Sequence, residues 1–529
     1  MPVVEQAQHA GFVARMTELT STQTPWHRRL WRTSTMELAS ELLDESVRPG
    51  VRKAAVEDQR KYLMHSLRTD LGIRDHGLSV QTELGRFSPG ITVESHDWMV
   101  VAEHVDKMRQ SYLQNWAQAF EAPLHAVRPK DLDGAVRRIT AHILGSGMHK
   151  NSLFSWLVAL ENNPEEVSVS DFLRDAHGRL MRPERQYTFC VPVESGINFA
   201  HSTPAGWMNG AQTAAWLRTN ISSAPSVRQH GSFILAVQAR DVNTAADRAR
   251  ARLDTLAAKF RLGTSAPIVL SSTMWSKDRG SSFPTRATNR LISVKSFERL
   301  GRLHDFDEPQ YLSNVLVLAQ PLQTGAPHIA IVSGWAAIES MLVGPSDEND
   351  SVGASRFALI VAVSMIRAEL TRLALKYIDS HDDSFADQLS ACAENIYRAR
   401  LMAMRLSEAS ASVMKDTVDN LAVDRILSVV INPRTEIEKM RSILTREFTR
   451  LYRKRNMTVH GGHITGANLH SVSELLSPLI GAGIDRVVHV GLKFDVTPIQ
   501  MSATAEARMS YLVPASKDDP GNLLDILEF

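Results

Sequence analysis

The stretch LYRKRNMTVHGG, Leu451 to Gly462, closes a long helical pattern and decides how the chain reads. Upstream of it, Ile437, Met440, Leu444, Phe448 and Leu451 recur at steps of three and four, the period of one apolar helix face. One further step of four lands on Arg455, and another on Val459. A guanidinium therefore occupies a slot that the period reserves for an inward residue, and burying it without a partner is costly. It lines a cleft, meets an anion, faces another chain, or snorkels from the helix end. Beside this stripe runs a second column, Tyr452, Asn456 and His460, each four apart, so that the amide can reach the imidazole on a continuous helix. Gly461 and Gly462 suit the left-handed position that ends a helix, and His460 falls in the last turn, where the helix dipole favours cations.

The same segment carries Arg434, Lys439, Arg441, Arg446, Arg450, Arg453, Lys454 and Arg455 against only Glu436, Glu438 and Glu447. The whole chain has a net charge of +1, so this is a local polyanion footprint rather than part of a general basic field. The plain alternative is a solvated basic face.

Outward from this helix, the pattern is helical from about His328 to residue 490. It shows GWAAIESML (Gly334 to Leu342), Ser355 to Tyr377, Ala386 to about Ala411, Arg434 to His460, and Val472 to about Val490. Residues 1 to about 185 also read as helical, most clearly at Trp98, Val101, Val105, Met108, Tyr112 and Trp116 behind Ser95 as N-cap. Shorter patterns cover Leu132 to Leu144, Ser152 to Leu160, and Asp171 to Leu180 behind Ser170. Between them the texture changes to short β-branched runs, YTFCVPV, SFILAVQA, PIVLSS, RLISVKS and NVLVLAQ, the mark of strands. Thr244 and Asp247 there form a loose capping box opening a helix that runs to Gly263.

The expected fold class is thus multidomain α+β. A mainly helical N-terminal region (1–185) is followed by a mixed α/β middle domain (186–325), a C-terminal α-helical bundle (326–495) and a loosely held tail (496–529) whose Leu-rich end could dock.

Length and composition agree with such a chain. At 529 residues and 43% hydrophobic content it has material for two to four domains. Cys190 and Cys392, more than 200 residues apart, can build neither a disulfide framework nor a CxxC zinc site, which fits a reducing compartment. The start, MPVVEQAQHAGFVARM, lacks the features of a signal peptide, and the apolar run FALIVAVSMI (Phe357 to Ile366) is short for a membrane span. The expectation is a cytoplasmic protein without membrane partners. There is no Walker A string, no HExxH and no GxSxG. His460, His463 and His470 lie close in sequence, but no neighbouring Cys or carboxylate completes a metal set, so no metal and no cofactor are expected.

Arg455, Asn456, three residues and then His460, late in a helical bundle, resemble the RNxxxH form of the Rx4-6H motif of HEPN-domain ribonucleases. GWAAIESML resembles the first helix of the HEPN group found in bacterial defence proteins. The resemblance covers about residues 329 to 490, a third of the chain. It implies a metal-independent endoribonuclease in which the RNA 2′-hydroxyl attacks its own phosphate, leaving a 2′,3′-cyclic phosphate and a 5′-hydroxyl end. His460 would be general acid or base, Arg455 would stabilise the phosphorane, and Asn456 would orient the imidazole or bind phosphate. Glu339, Tyr452 and Arg453 would support them, and Arg446, Arg450 and Lys454 would bind the RNA, whether tRNA or mRNA. The resemblance further implies a homodimer through the HEPN domain and a toxic effector in anti-phage or stress defence, released by a phage-derived or protein trigger. Residues 1 to about 325 would then sense that trigger, choose the RNA or restrain the nuclease. In HEPN toxins governed by nucleotidyltransferase antitoxins a tyrosine commonly follows two residues after the histidine; here Gly462 holds that place, which argues against that control. The competing readings are a non-catalytic HEPN-like scaffold binding RNA or protein, and a nucleic-acid-binding regulator.

Overall fold

A computed structural model describes residues 3–529 apart from 30–32, 49–50, 52, 74–76, 87–92, 94, 123–126, 128–130, 163–166, 196–203, 223–229, 264–266, 287–289, 291, 409–413 and 463–466. The chain is mostly helical with one small antiparallel sheet, as an α+β reading requires.

The N-terminal third contains α1 (Val3–Thr20), α2 (Thr35–Ser46), α3 (Lys53–Thr69), α4 (Gly77–Arg86), α5 (His96–Glu121), α6 (Leu132–Gly145), α7 (Lys150–Glu161) and α8 (Val169–Met181). Ser95 caps α5 as its spacing requires, accepting from the Trp98 amide at 3.3 Å, and Val101, Val105, Met108, Tyr112 and Trp116 are buried along one stripe. Ser168 rather than Ser170 caps α8, because the helix begins two residues earlier, at Val169.

The middle segment consists of β1 (Arg185–Val193), β2 (Trp207–Asn209), α9 (Gly210–Asn220), β3 (Gly231–Ala239), α10 (Val242–Gly263), β4 (Thr273–Ser276) and β5 (Ser281–Pro284). The strand order is β2-β3-β1-β4-β5, and every pairing is antiparallel, with β1 and β3 in register from Arg185↔Ala239 to Val193↔Gly231. The segment is thus of the α+β rather than the α/β kind, since antiparallel pairing needs no βαβ crossover. Alternation explains its two layers. Tyr187, Phe189 and Val191 point to the face that Ala245, Ala246, Ala249 and Leu253 of α10 cover. Cys190 points the other way, toward Leu217 and Ile221 at the end of α9.

Two expected strands are not strands. NVLVLAQ lies inside α12 (Gln310–Thr324), where Leu312, Val315, Ala319 and Leu322 are buried at helical spacing while Val317 is exposed. RLISVKS is tied down as irregular chain: the Arg290 guanidinium donates to the carbonyls of Leu322 (3.1 Å) and Gly325 (2.7 Å), and Ile292 packs where Gly481 leaves room. Of PIVLSS only Leu270 bridges the sheet, opposite Val193. The actual edge is the β4–β5 hairpin, turned by Gly280 at φ +64°. The cap of α10 is Asp241 rather than Thr244; its Oδ1 accepts from the amides of Asn243 (2.9 Å) and Thr244 (3.0 Å).

The remainder is helical: α11 (Ser296–Arg299), α12, α13 (Pro327–Leu342), α14 (Val352–Ser380), α15 (Ser384–Ala391), α16 (Asn395–Glu408), α17 (Thr417–Ile431), α18 (Pro433–Gly461), α19 (Ala467–Phe494) and α20 (Pro498–Met509). The helix expected over Ala386 to Ala411 breaks into α15 and α16. α14 is the axis of the bundle: Phe357 through Ala362 are all fully buried, the mark of a helix enclosed on every side. Its Phe357 meets Phe448 of α18 edge to face at 5.0 Å. Among the described residues one helix, over Leu469–Phe494, is long and apolar enough to cross a membrane by length and composition, but 78% of its apolar window is buried in the fold, so it serves as a core helix. The tail is not loosely held. Leu523, Leu524, Ile526 and Leu527 are buried, and Arg486 anchors the last turn through Glu528 at 2.9 Å.

One hydrophobic cluster runs from Phe12 of α1 to Leu527 through both helical regions. Two buried cations tie them further. Arg28 donates to Glu369 of α14 (2.6 Å), Asp419 of α17 (2.8 Å) and Glu18 of α1 (3.1 Å). Arg450 of α18 does the same toward α2.

Candidate functional site

The site is built on the last two turns of α18. Pro433 opens this 29-residue helix and Gly462 ends it at φ 66°, its amide bonding to the Met457 carbonyl. Ile437, Leu444, Phe448 and Leu451 are buried, so the apolar stripe is real, but it leaves the core at its end: the Arg455 side chain is 25% exposed and Val459 is 50% exposed.

Arg455 is only partly answered. Its Nη1 donates to Oδ1 of Asn456 at 2.9 Å, and its Nη2 lies 3.7 Å from Oε2 of Glu339, itself 31% exposed. Glu339 comes from α13, one turn after Trp335, whose ring sits 4.7 Å from that of Tyr452. The contact of α13 with α18 thus brings Arg455, Asn456, Glu339 and Tyr452 together. His460 is exposed in the last turn. Because Oδ1 of Asn456 is taken by Arg455, its amide NH2 is what remains to face the imidazole or a phosphate. Five residues set Arg455 and His460 about 140° apart around the helix axis. The two border one helix end from different sides.

The expected RNA-binding set is corrected in two of its three members. Arg450 is buried and donates to Oε1 and Oε2 of Glu41, both at 3.0 Å, to Thr33 at 3.0 Å, and to Glu37. Lys454 is equally buried, 2.9 Å from Glu45 and 3.2 Å from Glu41. Burial opposes charge on Arg450, but Glu37, Glu41 and Glu447 outweigh it and hold its pKa well above the ordinary value. These side chains cannot reach a ligand. The reason is an acidic stripe on α2: Glu37, Glu41 and Glu45 are spaced by four and face Arg450 and Lys454, also spaced by four. Arg453 is drawn into the same network, its Nε 3.3 Å from Oε2 of Glu45. Arg446 alone of the three stays exposed, its guanidinium 4.5 Å over the ring of Tyr62 on the wall of an open groove of about 420 Å³ between α3 and α18.

A second polar cluster went unread in the sequence. His149 at the N-cap of α7, Asp247 of α10 and His470 of α19 converge with ligand atoms all within 4.8 Å of one another. The sequence showed His470 without a carboxylate; the fold supplies one from 223 residues upstream, which no local spacing could reveal. His463, the third histidine of the sequence cluster, lies outside the described residues.

The chain matches no family model, no curated protein and no solved structure.

Proposed function

We propose that the protein is a metal-independent endoribonuclease whose reacting groups are Arg455 and His460. The observation that carries this reading is the contrast between two arginines of one helix. Arg450 is saturated by carboxylates, whereas Arg455 keeps a guanidinium edge toward solvent, with one carboxylate at 3.7 Å and a neighbouring amide. A cation so held can accept a phosphate without losing a strong partner.

In the proposed reaction, His460 takes the proton of an RNA 2′-hydroxyl, whose oxygen attacks the adjacent phosphorus. The phosphorus to 5′-oxygen bond then breaks, and the departing oxygen takes a proton from the imidazolium so formed. Arg455 stabilises the charge of the crowded phosphorane, and the Asn456 amide contacts a phosphate oxygen or the imidazole. Glu339 and Tyr452 fix the position of Arg455. Since Arg455 and His460 leave one helix at different angles, a homodimer pairing the histidine of one copy with the arginine of another would bring them onto a single phosphate. Val459, half exposed beside His460, offers an apolar contact for such a seam. A toxic role in anti-phage or stress defence follows as part of the same proposal. The N-terminal region, packed into the shared core, would act on the site through α2 and its ion pairs to α18.

One observation favours a second reading, a non-catalytic scaffold: Arg450 and Lys454 are consumed internally, so two cations next to Arg455 on α18 are withdrawn from its basic surface. Incubation of total tRNA and mRNA with the protein in excess EDTA, beside Arg455→Ala and His460→Ala, separates the two. Cleavage lost in both variants supports the nuclease. Function retained in both variants supports the scaffold.

A further inference from the structure

We propose that His149, Asp247 and His470 form a binding site for a single zinc-class divalent cation. The ligand types fit a borderline-soft metal, with two imidazoles and one carboxylate. The spacing fits as well. With bonds near 2.0–2.2 Å, the ligand atoms of a tetrahedral zinc stand roughly 3.3 Å apart. Here Nε2 of His149 lies 3.2 Å and Nε2 of His470 lies 3.6 Å from the same oxygen, Oδ2 of Asp247.

The surroundings hold the Asp247 carboxylate and the His149 backbone in place. Arg250 holds Oδ1 of Asp247, which turns Oδ2 toward both histidines. The backbone amide of His149 is fixed by Asp241 at 2.9 Å. Glu474, one turn beyond His470, adds negative charge but is engaged by Arg290 at 3.3 Å and Lys150 at 3.6 Å, so it stays outside the ligand set. His470 is 47% exposed, which provides an entry path and leaves the fourth position to water.

The site joins three parts of the molecule: the N-cap of α7, the helix that covers the sheet, and α19 of the bundle. A cation there clamps the sheet unit onto the helical core. Binding also has a local signature. Nδ1 of His149 accepts from the Asn151 amide at 3.0 Å, which places the proton of the neutral ring on Nε2, against Asp247. When Nε2 binds a metal, that proton must pass to Nδ1, and the bond to the Asn151 amide is exchanged for one to water.

The test uses full-length, tag-free protein stripped of metal and titrated with cobalt(II), then zinc(II). The expected result is one equivalent of cobalt with visible d–d bands, displaced by zinc, together with a higher unfolding temperature and faster hydrogen exchange at Asn151. His470→Ala, at a half-exposed position, and His149→Ala each weaken binding by about tenfold or more, the loss that even outer partners of a ligand produce. Absence of d–d bands with an unchanged unfolding temperature overturns the proposal, as does binding that both variants retain. None of these readouts depends on RNA cleavage.

Discussion

Arg450 of α18 donates through Nε to both carboxylate oxygens of Glu41 on α2, each at 3.0 Å, across 409 residues of sequence. Glu41 is fully buried and Arg450 is 3% exposed, so this pair lies in the interior with Glu37, Glu447 and Lys454 around it. Removing one partner leaves charge buried without its counterpart. Glu41→Gln and Arg450→Met should each destabilise by about 3–5 kcal/mol. The double variant Glu41→Gln/Arg450→Met should lose less than the two single losses added together. Denaturant unfolding of the four proteins checks this, and simple additivity would show that the pair is not coupled.

The buried titratable groups set a pH profile. Burial pushes the His27 ring down to about 4, against the pull of Glu369, and pushes His142 down to about 3. Burial raises Glu41, but Arg450 and Lys454 outweigh it and bring it to about 2. In all three the folded value lies below the ordinary one, 6.5 for histidine and 4.5 for glutamate, so the unfolded chain binds more protons. Stability is therefore full above pH 6.5, falls from 6.5 toward 4 through His27 and on toward 3 through His142, and falls further from 4.5 toward 2 through Glu41. Glu447, raised by burial, works in the opposite sense. Unfolding temperatures between pH 8 and pH 3 should trace this descent, and His27→Gln should flatten its upper part.

Gly483 of α19 lies against Phe357 of α14. A Cβ at this position would stand 2.3 Å from Cζ of the ring, and Phe357 is itself held by Phe448. Gly483→Ala should cost about 1–3 kcal/mol through overpacking. Wild-type stability in this variant would mean that the ring moves freely.

The C-terminal segment is part of the core. Ile526 is fully buried, and Ile526→Ala should cost about 2–5 kcal/mol by leaving a cavity. Limited proteolysis should cut this variant faster than the parent near residues 510–522.

Much of the architecture was legible because long periodic stripes leave few choices. The α5 stripe behind Ser95 and the α18 stripe up to Gly462 lie where their spacing puts them. NVLVLAQ misled because β-branched composition outweighed spacing that, read as Leu312, Val315, Ala319 and Leu322, is helical. In the candidate site, the proximity of Glu339 and Arg455 was readable from the two motif helices. The burial of Arg450 and Lys454 was not read, although its signal was present in the matching four-residue spacing of Glu37, Glu41 and Glu45. Charge counted on one helix says nothing of the helix that faces it. His149, Asp247 and His470 are joined only by the tertiary fold.

In the proposed reaction the RNA supplies its own nucleophile at Arg455 and His460. The most direct measurement takes an oligoribonucleotide with a mapped cut and replaces the 2′-hydroxyl 5′ to that cut by hydrogen, in excess EDTA. The parent RNA should give 2′,3′-cyclic phosphate and 5′-hydroxyl ends, and the deoxy form no cut at that position. Cleavage of the deoxy form at the same position, or cleavage undiminished in Arg455→Ala and His460→Ala, would contradict that reaction.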